Sequence, residues 1–219
     1  MDATTLRRAL RLALLCAFVG AGVEAQDGAQ NPVHTHIRHA ADAYADTPAG
    51  MGLLATAQAE AEVAAQHAAL GAADLGNLDG MRRHAGHVIH ALDPSVVAGG
   101  PGLGYGVKRA AQGAAQHIEL ALASDSVSEN VTVHAGHVLA SLGNVVRWTD
   151  DAVALARRVQ AAASVTAAAS LVAQLDALCS AIFRGQDMDG DGRVGWQDGE
   201  GGLAQATQHT NLMKRGEDI

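Results

Sequence analysis

The sequence predicts an all-α protein, and three observations carry that prediction. Alanine dominates an apolar share of 48% while aromatic residues make up only 3%. That balance favours closely packed helices over a β-sandwich, which needs Val, Ile, Thr and aromatic side chains. Capping residues recur ahead of stretches with helical apolar spacing. Finally, "HAGHVIHAL" at 84–92 returns as "HAGHVLASL" at 134–142, 50 positions later, which points to a repeated helical unit. A chain of 219 residues has the length for one domain with a proper core or two small ones.

Taken in order, residues 1–25 read as a signal peptide. Arg7, Arg8 and Arg11 form a basic region, residues 12–23 are apolar, and Val23-Glu24-Ala25 suits cleavage before Gln26. An apolar run of about 12 residues is short of the roughly 20 that span a bilayer. With Leu15 before Cys16, lipoprotein-type cleavage is not expected. The export signal implies a periplasmic or secreted protein with no stable membrane span after cleavage. Cleavage would remove three of the 15 basic and two of the 23 acidic residues, leaving 12 against 21, a net charge of −9. Such a surface repels nucleic acid. The mature chain keeps only Cys179, read as a buried, inert thiol, so no internal disulfide is available. No C-x-x-C-H haem-attachment motif is present.

Residues 26–46 form an N-terminal segment with His34, His36 and His39, read as a lead-in helix with incidental histidines rather than a metal-scavenging tract. Residues 47–163 hold the repeat. Thr47-Pro48 reads as an N-cap followed by a first-turn proline, opening a helix to about position 73. A second helix covers about 77–92 and stops before Pro94. The stretch "DPSVVAGGPGLGYG" is a loop, and without a preceding strand or a following Lys-Ser/Thr it is no phosphate cradle. A third helix spans about 105–123, and a fourth, N-capped by Ser128, runs to about 160. Residues 164–219 supply a helix at 164–184, an acidic loop and a final helix at 203–214.

The 50-residue offset extends beyond the first match. "AAQH" at 64–67 recurs at 114–117, and His84, Gly86 and His87 map onto His134, Gly136 and His137. Two copied helical hairpins packed together would make a four-helix bundle, an architecture that holds metals and cofactors between facing helices. His67 and His84 lie equally far from the turn of the first hairpin and should face one another, with His87 one turn along, about 4.5 Å in rise. The copy predicts the same triangle from His117, His134 and His137. Three imidazoles with an open position suit copper or zinc, and a bis-His pair would suit a non-covalent haem b. Gly86 and Gly136, costly in a mid-helix position, fit close approach by something flat or by a neighbouring backbone. Glu60 lies on the His67 face, but its repeat partner is Ala110 and Glu-x-x-His pairs are absent, so a di-iron carboxylate site is disfavoured. His90 falls on the Arg83 side of its helix and is expected to be exposed. His209 sits on the final helix, within reach of the bundle if that helix folds back.

The segment "DMDGDGRVGWQD", residues 187–198, resembles the calcium loop of the EF-hand family. Asp187, Asp189 and Asp191 match the first three oxygen ligands, Gly192 the sharp turn, Arg193 the backbone-carbonyl position and Val194 the apolar packing position. The resemblance covers these 12 residues and implies calcium binding. It departs at the last position, where Asp198 stands for the usual Glu, and Glu200 follows two residues later. A single loop suits a structural clip better than a paired sensor.

No nucleophile elbow, catalytic triad order or paired carboxylates stand out, so an enzyme is not the expected reading. The sequence points to an exported protein whose partners are metal ions: calcium in the loop, and a transition metal or haem at the histidines. The alternative is an extracytoplasmic structural or interaction module binding calcium alone.

Overall fold

The computed structural model describes residues 31–219; the expected signal peptide and Cys16 lie outside the described residues. These residues form seven α-helices: α1 (Pro32–Ala41), α2 (Leu53–Ala73), α3 (Leu78–Leu92), α4 (Val107–Leu122), α5 (Glu129–Ala161), α6 (Val165–Arg184) and α7 (Leu203–Gly216). No strand occurs among the described residues.

Several helix starts follow from local chemistry. A side-chain oxygen accepting an otherwise orphaned backbone N–H fixes where a helix begins. Asn77 accepts from Gly80 N at 2.8 Å, Ser128 from Val131 N at 3.1 Å and Ser164 from Ala167 N at 3.2 Å. Asn31 does the same for Val33 at 3.0 Å, so α1 is a capped, ordered helix.

Thr47-Pro48 does not open α2 as the sequence predicts. Its hydroxyl donates to the carbonyls of Tyr44 and Met51, and Ala49 and Gly50 turn to positive φ, so only a single 3-10 turn forms there. α2 begins instead at Leu53, after Gly52, where any Cβ would collide with the Ala41 carbonyl.

α2 pairs with α3, α4 pairs with α5, α1 packs along α4, α7 along α5, and α6 lies against α2 and α5. Buried alanines such as Ala57, Ala64, Ala114 and Ala135 let the helices approach closely. Ile37, Met81, Ile118, Leu142, Leu175 and Met213 fill the volume between them. Among the described residues α6 alone has the length and apolar composition of a membrane span; here it buries Val172, Leu175, Cys179 and Ile182 against its neighbours. Burial pushes the Cys179 thiol up to about 12, which makes it inert.

The long loop at 93–106 is tied down from beneath. Glu60, fully buried, accepts the backbone N–H groups of Leu103, Tyr105 and Gly106 at 3.1, 2.8 and 2.9 Å. Both carboxylate oxygens are thereby engaged in holding the loop. His90 is buried, not exposed: it is 7% accessible and its Nδ1 lies 2.9 Å from the Val97 carbonyl. The loop folds back over this face of α3, which the helical period alone could not reveal.

Candidate metal centres

A His-x-x-His pair places two imidazoles on one face of a helix, one turn apart. His87 and His90 of α3 have this spacing too, but His90 turns to the 93–106 loop; three other pairs lie in helices among the described residues, His36/His39 on α1, His84/His87 on α3 and His134/His137 on α5. Each meets a single histidine from a neighbouring helix. His117 of α4 joins the α1 pair, His67 of α2 the α3 pair, and His209 of α7 the α5 pair. In each group one ring nitrogen per residue lies within 4.8 Å of the others.

The three groups repeat one geometry. The single histidine lies 5.3 Å, centroid to centroid, from the first ring of its pair in all three, at 27–36° between planes. It meets the second ring edge-on at 4.7, 4.5 and 4.5 Å, with planes 71–74° apart. Nδ1 atoms converge: His36–His117 and His67–His84 are 3.0 Å apart and His134–His209 3.1 Å, while His67–His87 and His137–His209 are 3.3 and 3.2 Å. His39 Nδ1 is buried with no hydrogen-bond partner.

That spacing has a chemical meaning. Metal–imidazole bonds of about 2.0–2.1 Å set ligand nitrogens about 3.3 Å apart in a tetrahedron and about 2.9 Å apart in an octahedral cap. A neutral imidazole carries one N–H, so three Nδ1 atoms this close cannot all be satisfied by one another. One cation facing three lone pairs satisfies all of them.

Burial first, and then the charge that neighbouring rings would carry, hold His117 and His209 down at about 4. His36, His67, His84 and His137 are lowered as well, again chiefly by burial. At neutral pH these rings are unprotonated, the form a metal requires. Proton uptake by the unfolded chain begins near about 6.5, whereas His117 and His209 in the folded protein resist it until near 4. Stability of the metal-free protein therefore falls as pH drops through that window. Zinc, were it held at these histidines, would be retained at pH 7 and released as pH falls toward 4, which dialysis at stepped pH followed by elemental analysis measures.

The surroundings differ between the groups. Tyr44 lies against His39 and His117 at 5.2 and 4.9 Å. Trp196 stacks on His137 at 3.9 Å with planes 20° apart. A Cβ at Gly86 would meet only the end of the Gln160 side chain, at 3.0 Å, and Gly136 faces open space.

The first histidine triangle expected from the sequence, His67, His84 and His87, is the one that forms within a hairpin. The second does not: His117 turns to α1, and His134 and His137 turn to α7. A helix face meets one neighbour at a time, and for α4 and α5 at these positions the neighbours are the terminal helices. His36, His39 and His209 thus join the sites. Their signals are in the sequence: "HIRH" at 36–39 has the spacing of "HAGH", and "ATQH" at 206–209 echoes both copies of "AAQH". His34, the remaining histidine of α1, lies 3.2 Å from Glu217 near the end of the chain.

The acidic loop holds itself in a tight turn. Asp187 accepts from Gly190 and Gly192 at 2.7 and 2.9 Å, Asp189 from Asp191 N at 3.0 Å and Asp191 from Arg193 N at 2.8 Å. These three carboxylates offer oxygens within 4.8 Å of one another. Asp198 is not among them and accepts from Arg147 of α5 at 3.1 Å. Glu200 is buried and accepts from Gly195 N at 2.8 Å.

No family model, curated protein or solved structure matches this chain.

Proposed function

We propose that this is an exported metal-binding protein that holds transition-metal ions at three histidine triads, one ion per triad. The observation that carries the reading is the threefold recurrence of one Nδ1 geometry on three different helix pairs. Chance packing of half-buried histidines has no reason to repeat ring distances and tilts to this degree. All-nitrogen ligation without sulfur or carboxylate suits zinc or copper, with a fourth position left to water or a small ligand. A haem needs two imidazoles on opposite faces of a macrocycle, so three nitrogens converging on one point favour a bare ion.

The scaffold fits a duplicated pair of hairpins in a four-helix bundle with α1, α6 and α7 added around it. The alternation of buried and exposed positions over 61–70 is the same, residue for residue, as over 111–120. In this reading the copied hairpins supply four of the six ligand-bearing helices and the terminal helices supply two.

Zinc added to chelator-treated protein, followed by gel filtration and elemental analysis, tests the proposal. Three equivalents are expected, and His67→Ala/His117→Ala/His209→Ala should bind none while keeping its helical circular dichroism. Unchanged zinc content in that variant, or no zinc in the natural chain, would overturn the assignment.

Calcium is a second ligand in this reading, supported by the convergence of Asp187, Asp189 and Asp191 and by the EF-hand resemblance. Ligand that binds only the folded state stabilises it, by about 2.7 kcal/mol at 100 times Kd. Calcium should raise the melting temperature of the natural chain and leave that of Asp187→Asn/Asp189→Asn unchanged. Equal responses would remove calcium from the reading. A protein stabilised by calcium and indifferent to zinc would instead be the calcium-only structural module.

A further inference from the structure

The three triads share one inner geometry, and what distinguishes them is the layer outside. We infer that Trp196 is a positioning residue that fixes the His137 ring and makes the α5/α7 triad the tightest of the three metal sites. The inference rests on the triads being metal sites.

The backbone that carries the indole is held firmly. Trp196 belongs to a segment that α5 pins at several points. Ser141, one turn after His137, donates to the His137 carbonyl at 3.0 Å and reaches the Trp196 carbonyl at 3.4 Å. Asn144, fully buried, donates to the carbonyls of Gln197 and Gly201 at 2.9 and 3.0 Å and accepts from Gly199 N at 2.8 Å. Backbone and helix approach so closely that a Cβ at Gly201 would collide with Ser141 Oγ. From Gly202 the chain runs straight into α7 and reaches His209 two turns later.

One short connection therefore sets both the plane of His137 and the place of His209. An imidazole against an indole at 3.9 Å and 20° has lost the ring rotation that a free surface histidine must give up on binding. The α1/α4 triad has only the tilted, more distant Tyr44 ring beside it. Among the described residues no ring outside the triad pairs with the α2/α3 site. Outer contacts of this kind alter metal affinity by about 10- to 100-fold.

Cobalt(II) is the probe, because it fills tetrahedral nitrogen sites and quenches nearby indole emission. In Trp148→Phe, which leaves Trp196 as the sole tryptophan, the first of three cobalt equivalents should quench the emission. His209→Ala in that background should bind two equivalents with no quenching. Trp196→Ala should weaken one of the three binding steps about 10-fold and leave two unchanged, and Trp196→Phe should restore the step to within about 3-fold. Three unchanged constants in Trp196→Ala, a uniform loss at all three sites, or quenching by a later equivalent would overturn the inference. If His209→Ala titrates like the natural chain, the metal reading of this triad fails as well. If it loses one equivalent while Trp196→Ala loses nothing, only the role of Trp196 fails.

Discussion

His117→Ala should lose one zinc equivalent of three, and adding His36→Ala or His39→Ala to it should lose no more. These residues stand 81 and 78 positions apart in the chain but belong to one triad. Once one of three imidazoles is gone, the remaining pair binds at least about 100-fold more weakly, given that even outer-layer partners are worth about 10- to 100-fold. Adding His134→Ala to His117→Ala should instead remove a second equivalent, because His134 belongs to the triad of His209. Residues that share one site are strongly non-additive and residues of separate sites are additive. The hairpin triangle read from the repeat predicts the opposite, with His117 and His134 losing the same ion. Equilibrium dialysis of the two double variants separates the two arrangements directly.

Glu60→Ala should be the most damaging single substitution for the fold. It strands three backbone N–H groups, those of Leu103, Tyr105 and Gly106, beneath a loop that nothing else anchors so deeply. Each buried unsatisfied donor costs about 1–3 kcal/mol, and partial rescue by water leaves an expected loss of about 3–5 kcal/mol. For a chain of this size that lowers the melting temperature by about 10 °C. Thermal unfolding followed by circular dichroism gives the number, and a change within about 2 °C would show that the loop is held by other contacts. Glu60→Gln, which keeps one acceptor oxygen, should fall between the two. Zinc content should stay at three equivalents, because Glu60 belongs to none of the triads.

The helical character of the chain was legible in its sequence because it depends on near neighbours. The caps Asn77, Ser128 and Ser164 act on backbone groups three residues away, and each marks a helix start. Thr47 failed as a cap for the same local reason in reverse: its hydroxyl found the carbonyls of Tyr44 and Met51 instead. The burial of His90 comes from a loop folding over it, and a helical period says nothing about what lies outside the helix.

At the sites, local spacing placed His84 with His87 and His134 with His137, since a helix repeats every 3.6 residues. Turn symmetry brought His67 to His84 across a short hairpin. His117 departs from that symmetry, because its hairpin is not closed on itself and its ring meets α1.

The sequence by itself determined the all-helical fold, the His-x-x-His pairs and the acidic loop, all of which depend on residues within a few positions of one another. Only the tertiary structure decided that the terminal helices α1 and α7 dock on α4 and α5 and complete two of the three triads. The reason is that periodicity fixes which residues share a face. Which helix meets that face is settled by packing over the whole core, through contacts between residues more than 70 positions apart.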